Sequence, residues 1–513
     1  MKIYTKILIV IITIIVCILA YMQNFPLIVK NPDKDFKPIE ISQASDNRDN
    51  NMTLSFLYNL TKEKHPAGSD EVYKVKDYIA YCLEQMNVEY EIQSTDLDEK
   101  YFLEEKKELY DQLIKVKQNQ YDYMAKKIHN NNLDEVIQEQ LGYESFDEYF
   151  TQEFCKGKTI EELTQEKYDE WLKQYKNITL NNILVKLNSS NNRNARNILL
   201  CAHYDSETDS YGAGDDGIYV ASLLESIRCL KDENYNNNIY ILFTDGEELS
   251  FLGAKAFQKN NNIKFNMVLN FDGPGNSGNL ILYHYSDDGL TKNYFKAVKK
   301  ESSYSFTNDV LFNKESILYP GDCSDAFSFE ENEYDFLDFT MIGNSKYYHS
   351  ENDNFYNIDI KSLNKLTRSI FEIIDFYGNS DIEWNREIDC INYKIFNGLE
   401  FSINKTIYIA VSIILIVVNF IYVIYLFKNH KSTLKRIVVI FLDILAILSL
   451  IIFKNFTILI ILPATMMFIL EWIKNKKVKS IISVISFEMY LFIIMQPIYL
   501  MIQMIIWASI FGK

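Results

Sequence analysis

The stretch NILLCAHYDS at residues 197–206 is a continuous apolar run that ends at a histidine, His203. A second run, NIYILFTDGEE at residues 238–248, ends in two adjacent carboxylates, Glu247 and Glu248. Short apolar runs of this length are typical of strands buried inside a sheet. Both stretches therefore predict a buried strand that is followed directly by polar side chains.

Similar segments alternate on both sides of these two runs. The predicted strands are 88–93, 182–187, 197–202, 239–244, 268–271 and 280–283. The predicted helices are 221–230 and 249–259, and helical spacing also extends from 52 to 85 with a turn at HPAGSD (65–70). This alternation predicts an α/β fold, a mixed sheet sandwiched by helices. Ligands in such folds bind beyond the carboxyl ends of the strands.

The candidate site residues lie in five motifs near the ends of apolar runs. The motifs are CAHYDS (201–206), YGAGDDG (211–217), ILFTDGEELSFLGAKAF (241–257), VLNFDGPG (268–275) and KYYHSENDN (346–354). They supply His203, Asp215, Glu247, Glu248, Asp272 and His349. Zinc binds such nitrogen and oxygen ligands in sites that keep one position open. Two metals about 3.5–4 Å apart can share a water and lower its pKa. We therefore interpret the set as a two-metal hydrolase site with one spare carboxylate to accept a proton.

The adjacent carboxylates Glu247 and Glu248 have a second interpretation. Acidic residues at a helix start interact favourably with the helix dipole without any metal. Two carboxylates behind a buried strand would nevertheless repel each other unless a cation neutralised one of them. Combined with the other four motifs in this order, the pair favours a metal ligand beside a general base.

The order of the motifs resembles that of metallopeptidase family 28, the di-zinc aminopeptidases. HPAGS (65–69) is followed by VKDYI (75–79), and then come AHYDS, YGAGDDG, DGEE and YYHSENDN. The resemblance extends over residues 52–375, apart from an insertion. Together with the hydrophobic C-terminal quarter, it looks most like the branch of vacuolar and endoplasmic-reticulum membrane peptidases.

The resemblance implies a role for each residue that matches a family motif. His203 and Asp272 would bind one metal, Glu248 and His349 the other, and Asp215 would bridge them. Glu247 would be the general base. Asp205 would accept a hydrogen bond that orients an imidazole, and Tyr348 would stabilise the developing oxyanion or simply be a packed tyrosine. The implied cofactors are two Zn²⁺ ions per chain, although Mn²⁺ or Co²⁺ would fit similar ligands.

Three positions depart from the family pattern. Ile218 and Tyr219 stand where Ser-Gly often follows the bridging Asp. Asp272 stands where the vacuolar-type branch often has Glu, and Ala326 follows Ser324-Asp325 where a His is usual. These changes leave the metal ligands complete but weaken any transfer of substrate preference. The other four histidines lie outside any motif with metal-ligand spacing, and we interpret them as structural or surface residues: His65, His129, His284 and His430.

The hydrophobic segments predict an integral membrane protein. They are residues 7–22, 407–427, 437–453, 456–473 and 481–511, the last being one kinked span or a hairpin. Lys2 and Lys6 before the first segment and the basic residues after the second and fourth segments agree on one topology, with the soluble region outside the cell membrane. An uncleaved signal anchor is favoured over a cleavable signal peptide, since no small-residue cleavage site follows. Asp443 and Glu488 leave open a separate function of the membrane bundle.

These features predict a division of the chain into several parts. They are a cytoplasmic tip and signal anchor (1–22), a stalk (23–50), a peptidase domain (51–380) with a helical insertion (97–177), a juxtamembrane linker (381–404) and a membrane domain of about four helices (405–513). The insertion is interpreted as a lid or as a solvated helical decoration.

The expected function is that of a zinc-dependent aminopeptidase acting on peptides or proteins outside the cytoplasm. The formal net charge of −17 argues against a nucleic-acid partner, and the seven cysteines form no CxxC pair that would indicate a thiolate zinc site. Two alternatives stay open. One is a glutaminyl-cyclase-like acyltransferase, which would use a single zinc; the other is a receptor-like or scaffold protein without catalysis. The oligomeric state is not indicated.

Overall fold

The computed structural model describes residues 3–127, 132–188, 194–286, 290, 294, 302–304, 324–330, 334–380, 390–396, 399–429, 433–452 and 457–511. These form two compact units, one made of Met1–Gln93 and Asn182–Lys513 and the other of Ser94–Asn181. His129, His430, Cys323 and two parts of the predicted linker, 381–389 and 397–398, lie outside the described residues.

An eight-stranded mixed sheet organises the larger unit. Its strands are β1 (Tyr90–Asp96), β2 (Thr179–Asn188), β3 (Asn197–His203), β4 (Asn238–Thr244), β5 (Met267–Phe271), β6 (Leu280–Tyr285), β7 (Ser302–Tyr304) and β8 (Phe336–Thr340). Their spatial order is β1-β2-β4-β3-β5-β8-β6-β7. The four central strands, β4, β3, β5 and β8, are parallel, whereas β2 and β6 run antiparallel to their central neighbours. Four carboxyl ends therefore meet at one edge of the sheet.

The helices, in chain order, are α1 (Ile3–Met22), α2 (Asn50–Leu60), α3 (Asp70–Gln85), α4 (Glu99–Lys127), α5 (Leu133–Leu141), α6 (Phe146–Glu153), α7 (Ile160–Tyr175), α8 (Ile218–Leu230), α9 (Leu252–Asn260), α10 (Ala326–Glu330), α11 (Ile360–Asn379), α12 (Lys405–Lys428), α13 (Thr433–Ile452), α14 (Thr457–Glu471) and α15 (Lys476–Phe511). A hairpin of β9 (Cys390–Phe396) and β10 (Leu399–Asn404) precedes α12. Side chains cap several of the helices: Ser69 accepts a hydrogen bond from the main chain of α3, and Asp359 does the same for α11.

Helices cover both faces of the sheet. Successive side chains of a strand point to opposite faces, so each strand contributes to two cores. In β3, Ile198 and Leu200 belong to a large core with residues of α2, α3, α8 and α11. Leu199 and Cys201 belong to a second core with residues of α9 and α10. The predicted mixed sheet sandwiched by helices is therefore confirmed.

The smaller unit contains the helices α4 to α7. Phe102 at the start of α4 is fully buried, and its ring stacks on Trp171 of α7 with the centroids 6.1 Å apart. A second group of apolar side chains, including Phe146 and Phe150 of α6, packs with Leu133 and Ile137 of α5. This unit is the helical subdomain that the sequence predicts.

Residues 23–50, interpreted from the sequence as a stalk, lie against the large core. The ring of Phe36 packs on Tyr58 and Phe355, with centroid distances of 5.8 and 5.1 Å. The main-chain N–H of Lys30 donates to the Asp359 carboxylate at 2.6 Å. The segment thus joins α2 to the start of α11 through side-chain packing.

Among the described residues one helix, α12, is long and apolar enough by itself to cross a membrane, and 7–22 and 460–470 form shorter apolar helices. The last hydrophobic run is a single 36-residue helix, α15, rather than a hairpin. It pairs with α1, since the Thr13 hydroxyl donates to the Glu488 carboxylate at 2.7 Å. Asn419 of α12 similarly donates to Thr465 of α14 at 2.9 Å.

Candidate metal centre

The candidate site lies at the edge of the sheet where the parallel strands end, as expected for ligand sites in α/β folds. His203 is the last residue of β3, and Asp272 follows β5 directly. Glu247 and Glu248 come shortly after β4, and His349 lies in the connection from β8 to α11. Five side chains that are far apart in the sequence are thereby brought to one place.

Asp215 lies at the centre of this group. It belongs to the turn at 213–217 that connects β3 to α8, and its side chain is buried. Its Oδ1 atom is 3.2 Å from Nε2 of His203, and its Oδ2 atom is 3.3 Å from Nε2 of His349. The two oxygens of one carboxylate therefore face two different imidazoles, as a bridging ligand requires.

Two groups of potential ligand atoms share Asp215. One contains His203, Asp215, Asp216 and Asp272, and the other contains Asp215, Glu248 and His349, with all atoms of a group within 4.8 Å of one another. His203 Nε2 is 3.9 Å from Asp272 Oδ1, and His349 Nε2 is 3.3 Å from Glu248 Oε2. His203 and Asp272 thus lie in one group and Glu248 and His349 in the other, while Asp216 joins the first group without having been predicted.

Several polar atoms of the site have no hydrogen-bond partner within the described part of the chain. These buried atoms are His349 Nε2, Glu248 Oε1, Asp272 Oδ2 and Asp216 Oδ1. Buried polar atoms are normally paired, because leaving one unsatisfied costs about 1–3 kcal/mol. Imidazole and carboxylate atoms left unpaired around a common centre fit divalent cations, and zinc takes this donor set.

The charges at the site show the same need for cations. Burial alone would lower the pKa of His349, but Glu248 and Asp215 outweigh it and raise the pKa to about 10. Burial would raise the pKa of Asp215, but the adjacent imidazoles of His203 and His349 outweigh it and lower the pKa to about 2. Burial, with Asp272 nearby, raises the pKa of Glu247 well above its usual range. The carboxylates thus outnumber the imidazoles, and the site favours added positive charge.

Asp205 connects the end of β3 with the pair of glutamates. Its carboxylate accepts hydrogen bonds from the main-chain N–H groups of Glu247 at 3.1 Å and Glu248 at 3.2 Å. Nδ1 of His203 is 3.0 Å from the main-chain oxygen of Asp205 and 3.5 Å from its carboxylate. The imidazole acceptor is therefore chiefly the main-chain carbonyl, whereas the carboxylate positions the turn that carries Glu247.

Tyr348 lies against His349, with the two rings stacked and their centroids 3.6 Å apart. Burial raises the pKa of the Tyr348 hydroxyl well above its usual value, so the group stays protonated. A protonated phenol can donate a hydrogen bond to an anionic oxygen. Both interpretations of this residue, oxyanion donor and packed ring, are compatible with this placement.

Sequence reasoning missed two carboxylates, Asp353 and Asp216. Asp353 accepts hydrogen bonds from the main-chain N–H groups of Gly214 at 2.6 Å and Asp215 at 3.1 Å. A Cβ atom on Gly214 would lie 2.8 Å from Asp353 Oδ1, so the glycine is needed for this approach. Asp216 accepts from the main-chain N–H of His203 at 3.1 Å. Both lie inside quoted motifs, and their position there is the only sequence signal that could have identified them.

The Ser324-Asp325 pair is buried beside the ends of β4 and β8. The Thr244 hydroxyl donates to Asp325 at 2.5 Å, and the Ser324 hydroxyl donates to Asp338 at 2.6 Å. Burial raises the pKa of Asp325 to about 6 and that of Asp338 to about 7. Ala326, at the position where the family usually has a histidine, packs in the second core.

Two of the other histidines have structural surroundings. His65 is buried, and its main-chain N–H donates to the Ser206 hydroxyl at 3.0 Å. The ring of His284 stacks on Phe327 with the centroids 4.7 Å apart. Neither residue belongs to the two groups of potential ligands.

Comparisons with known proteins agree on the central part of the chain. Residues 182–374 match the family described as peptidase family M28. A vacuolar membrane protease from Candida dubliniensis is 30% identical over 242 residues, which are 46% of this chain and 25% of the relative. One from Saccharomyces cerevisiae is 27% identical over 260 residues, which are 50% of this chain and 26% of the relative. The chain thus spans about a quarter of the length of these curated relatives.

Two groups of solved structures are also similar. A zinc aminopeptidase from Bacillus subtilis has a TM-score of 0.43 at 15% identity, covering 67% of this chain and 98% of the other. A glutaminyl cyclase from Porphyromonas gingivalis has a TM-score of 0.40 at 13% identity, covering 65% of this chain and 99% of the other.

Proposed function

We propose that this protein, whose residues 182–374 match peptidase family M28, is a membrane-embedded zinc metallopeptidase that removes N-terminal residues from peptides. The observation that carries the proposal is the position of Asp215 between two groups of ligand atoms. A carboxylate shared in this way supports a pair of metal ions rather than one ion. A single ion would use one of the groups and leave the other unsatisfied.

The ligand roles follow from the two groups. His203 and Asp272 would hold one zinc ion, Glu248 and His349 the other, and Asp215 both. When bound, two zinc ions supply Lewis acidity, which polarises a peptide carbonyl and makes water a stronger acid.

Glu247 is the carboxylate beside the site that belongs to neither group of ligand atoms. The hydrogen bond from its main-chain N–H to Asp205 fixes the turn on which it lies. A carboxylate held in this position can take a proton from the attacking water and then give it to the leaving amine. Tyr348 would donate its hydroxyl hydrogen to the oxyanion that forms on the attacked carbonyl.

Preference for a free N-terminus follows from the excess of carboxylates. The site holds five carboxylates, one more than the charge of two zinc ions would offset, and this remaining negative charge would attract the protonated amino group of a substrate; the residues are Asp215, Asp216, Glu247, Glu248 and Asp272. An N-acetylated peptide carries no such charge. We therefore expect aminopeptidase rather than endopeptidase activity.

The membrane location is supported by the relatives, which are named membrane proteases, and by the apolar helix α12. The ends of α12 and α14 that touch the peptidase core carry one lysine each, Lys405 and Lys454, whereas basic clusters at 428–436 and 474–479 follow the opposite ends. Tyr408, near the start of α12, is part of the large core, and Ile458, near the start of α14, packs against it. The opposite ends carry Lys428 and, after α14, Lys474. Because lysines mark cytoplasmic ends, the peptidase domain would lie outside the cell membrane.

The proposal is tested with the purified full-length chain. The full chain is needed because the loop carrying His349 contacts α15, where the Ser345 hydroxyl donates to the main-chain oxygen of Gln503 at 3.5 Å. Metal content and hydrolysis of matched unblocked and N-acetylated peptides are measured on the same preparation. Two zinc ions and cleavage of unblocked peptides alone are expected.

The other outcomes select between the alternatives. Cleavage of acetylated peptides would exclude an aminopeptidase. One zinc ion with cyclisation of N-terminal glutamine would favour the cyclase alternative, and failure to bind zinc at all would favour a receptor-like protein.

A further inference from the structure

Two cavities meet at Leu27, just beyond the end of α1. The lower cavity, of about 300 Å³, lies between α1 and α15 and is lined by Cys17, Tyr21 and Tyr499. The upper cavity, of about 330 Å³, lies on the peptidase domain and is lined by Lys361 and Lys365 of α11. Leu27 lines both cavities. The two cavities adjoin at this residue and are together called the groove here; its upper part contains the basic side chains of Lys361 and Lys365.

We propose that this groove is a binding site for one anionic phospholipid, with an acyl chain in the lower cavity and the phosphate of the headgroup beside the two lysines. The inference rests on the membrane location put forward under Proposed function. It concerns a part of the molecule that contributes no residue to the candidate metal centre.

The groove lies at the depth where a membrane surface is expected. Helix α1 has 20 residues and is about 30 Å long, and its apolar part, residues 7–22, covers about 24 Å of a bilayer core of about 30 Å. Lys2 precedes the helix and Lys6 lies in its first turn, so its last turn reaches the opposite surface. The rings of Tyr21 and Tyr499 meet edge to face there, with the centroids 5.4 Å apart. Tyrosine is enriched at such membrane–water boundaries.

Exposed apolar side chains border the groove at the same level. The side chain of Leu27 is 58% exposed and that of its neighbour Ile28 is 78% exposed. Two adjacent large aliphatic side chains next to an apolar cavity would be shielded from water by an acyl chain. A soluble anion in the upper cavity would leave them in water, and for this reason we choose a lipid as the occupant.

The charge of the upper cavity favours an anion. Asp359 also lines it, and the neutral groups that donate to its carboxylate, the main-chain N–H of Lys30 and the Ser362 hydroxyl, both at 2.6 Å, leave its charge in place. Two lysines therefore face one carboxylate in this cavity. Lys365 donates to the neutral Asn279 side chain at 3.2 Å and forms no ion pair with the described residues. With Lys361 exposed on the same helix, two ammonium groups face the level of the lipid phosphates.

The test measures which lipids stay bound to the full-length protein. The protein in detergent is mixed with equal amounts of phosphatidylglycerol and phosphatidylcholine of identical acyl chains, and native mass spectrometry counts the bound lipids. Wild-type protein is expected to retain one phosphatidylglycerol in at least fivefold preference. Lys361→Ala/Lys365→Ala should lose this preference, and the matched pair Lys74→Ala/Lys231→Ala, surface lysines outside the groove, should keep it.

Two further measurements test the acyl-chain site and the headgroup site of the groove separately. Cys17→Trp, which fills the lower cavity, should reduce retention of both lipids. The headgroup alone, glycerophosphoglycerol, should not displace bound phosphatidylglycerol. Equal retention of both lipids by wild-type protein, unchanged preference in the Lys361/Lys365 variant, or displacement by the headgroup alone would overturn the proposal. The lipid count needs no hydrolysis, so peptidase activity measured in parallel shows separately whether the proposed function fails.

Discussion

The carboxylate of Asp353 holds the main chain of Asp215, the residue whose side chain lies between the two imidazoles of the site. One oxygen accepts from the Gly214 N–H at 2.6 Å and the other from the Asp215 N–H at 3.1 Å. Asp353 lies four positions after His349, so one loop carries a ligand of the second group and also fixes the shared ligand. A shift of this loop would therefore move His349 and the Asp215 carboxylate together.

We predict that Asp353→Asn lowers zinc affinity by about 10–100-fold, the usual effect of losing a group that orients a metal ligand. Asparagine keeps one acceptor oxygen but replaces the other with a donor, which would face the N–H of Asp215. Affinity is measured by competition with a chromophoric chelator. Asp209→Asn, at an exposed position, is the control and should bind zinc as the wild type does. Equal affinity in both variants would show that Asp353 does not position the site.

Replacing Asp215 by alanine should release more zinc ions from the protein than replacing Glu248 by alanine. Asp215 belongs to both groups of ligand atoms, and Glu248 to one. Glu248→Ala is therefore expected to retain about one tightly bound zinc and Asp215→Ala none, measured by elemental analysis after dialysis. If Asp215→Ala kept one zinc ion at wild-type affinity, the shared-ligand arrangement would be wrong.

The buried carboxyl of Asp338 should make the protein less stable as the pH rises. Burial raises its pKa from 3.8 to about 7, so the folded state binds more protons than the unfolded state between these values. Its contribution is greatest below pH 4 and is lost as the pH rises towards 7. Asp338→Asn, which does not titrate, should show a smaller difference in melting temperature between pH 5 and pH 7.5 than the wild type. An unchanged difference would show that this carboxyl does not titrate on unfolding.

The helical subdomain offers a matched pair of neighbouring positions. Phe102 is fully buried against Trp171, whereas the side chain of Leu103 is 56% exposed. Phe102→Ala should destabilise the subdomain by about 3–5 kcal/mol, the usual cost of removing a buried phenyl ring. Leu103→Ala should change its stability by less than about 0.5 kcal/mol. Rates of limited proteolysis within 94–181 measure both, and equal rates for the two variants would contradict the packing.

Sequence predicted the parts of the fold that depend on local patterns. The apolar runs that became β3 and β4 are uninterrupted, and their ends carry the polar residues that mark a ligand site. The hydrophobic periodicity of 97–177 indicated helices, although it could not reveal that Phe102 would stack on Trp171, 69 positions away.

The missing parts depend on contacts between distant segments. Pro and polar residues in 23–50 suggested an extended stalk, but Phe36 packs between α2 and the loop before α11. The strand β8 and the helix α11 were not predicted. The role of Asp353 could not be predicted from the sequence, because its partners are main-chain N–H groups 138 and 139 positions earlier, which carry no sequence signal.

The most direct test compares Glu247→Gln with wild-type full-length protein, with zinc content and hydrolysis of an unblocked peptide measured on the same samples. Glu247 lies outside both groups of ligand atoms, so the variant should keep two zinc ions. Because it has lost the general base, its kcat should fall by about 10²–10⁴-fold. Two zinc ions with full activity would contradict the proposed mechanism, and loss of zinc together with activity would make Glu247 a ligand instead of the base.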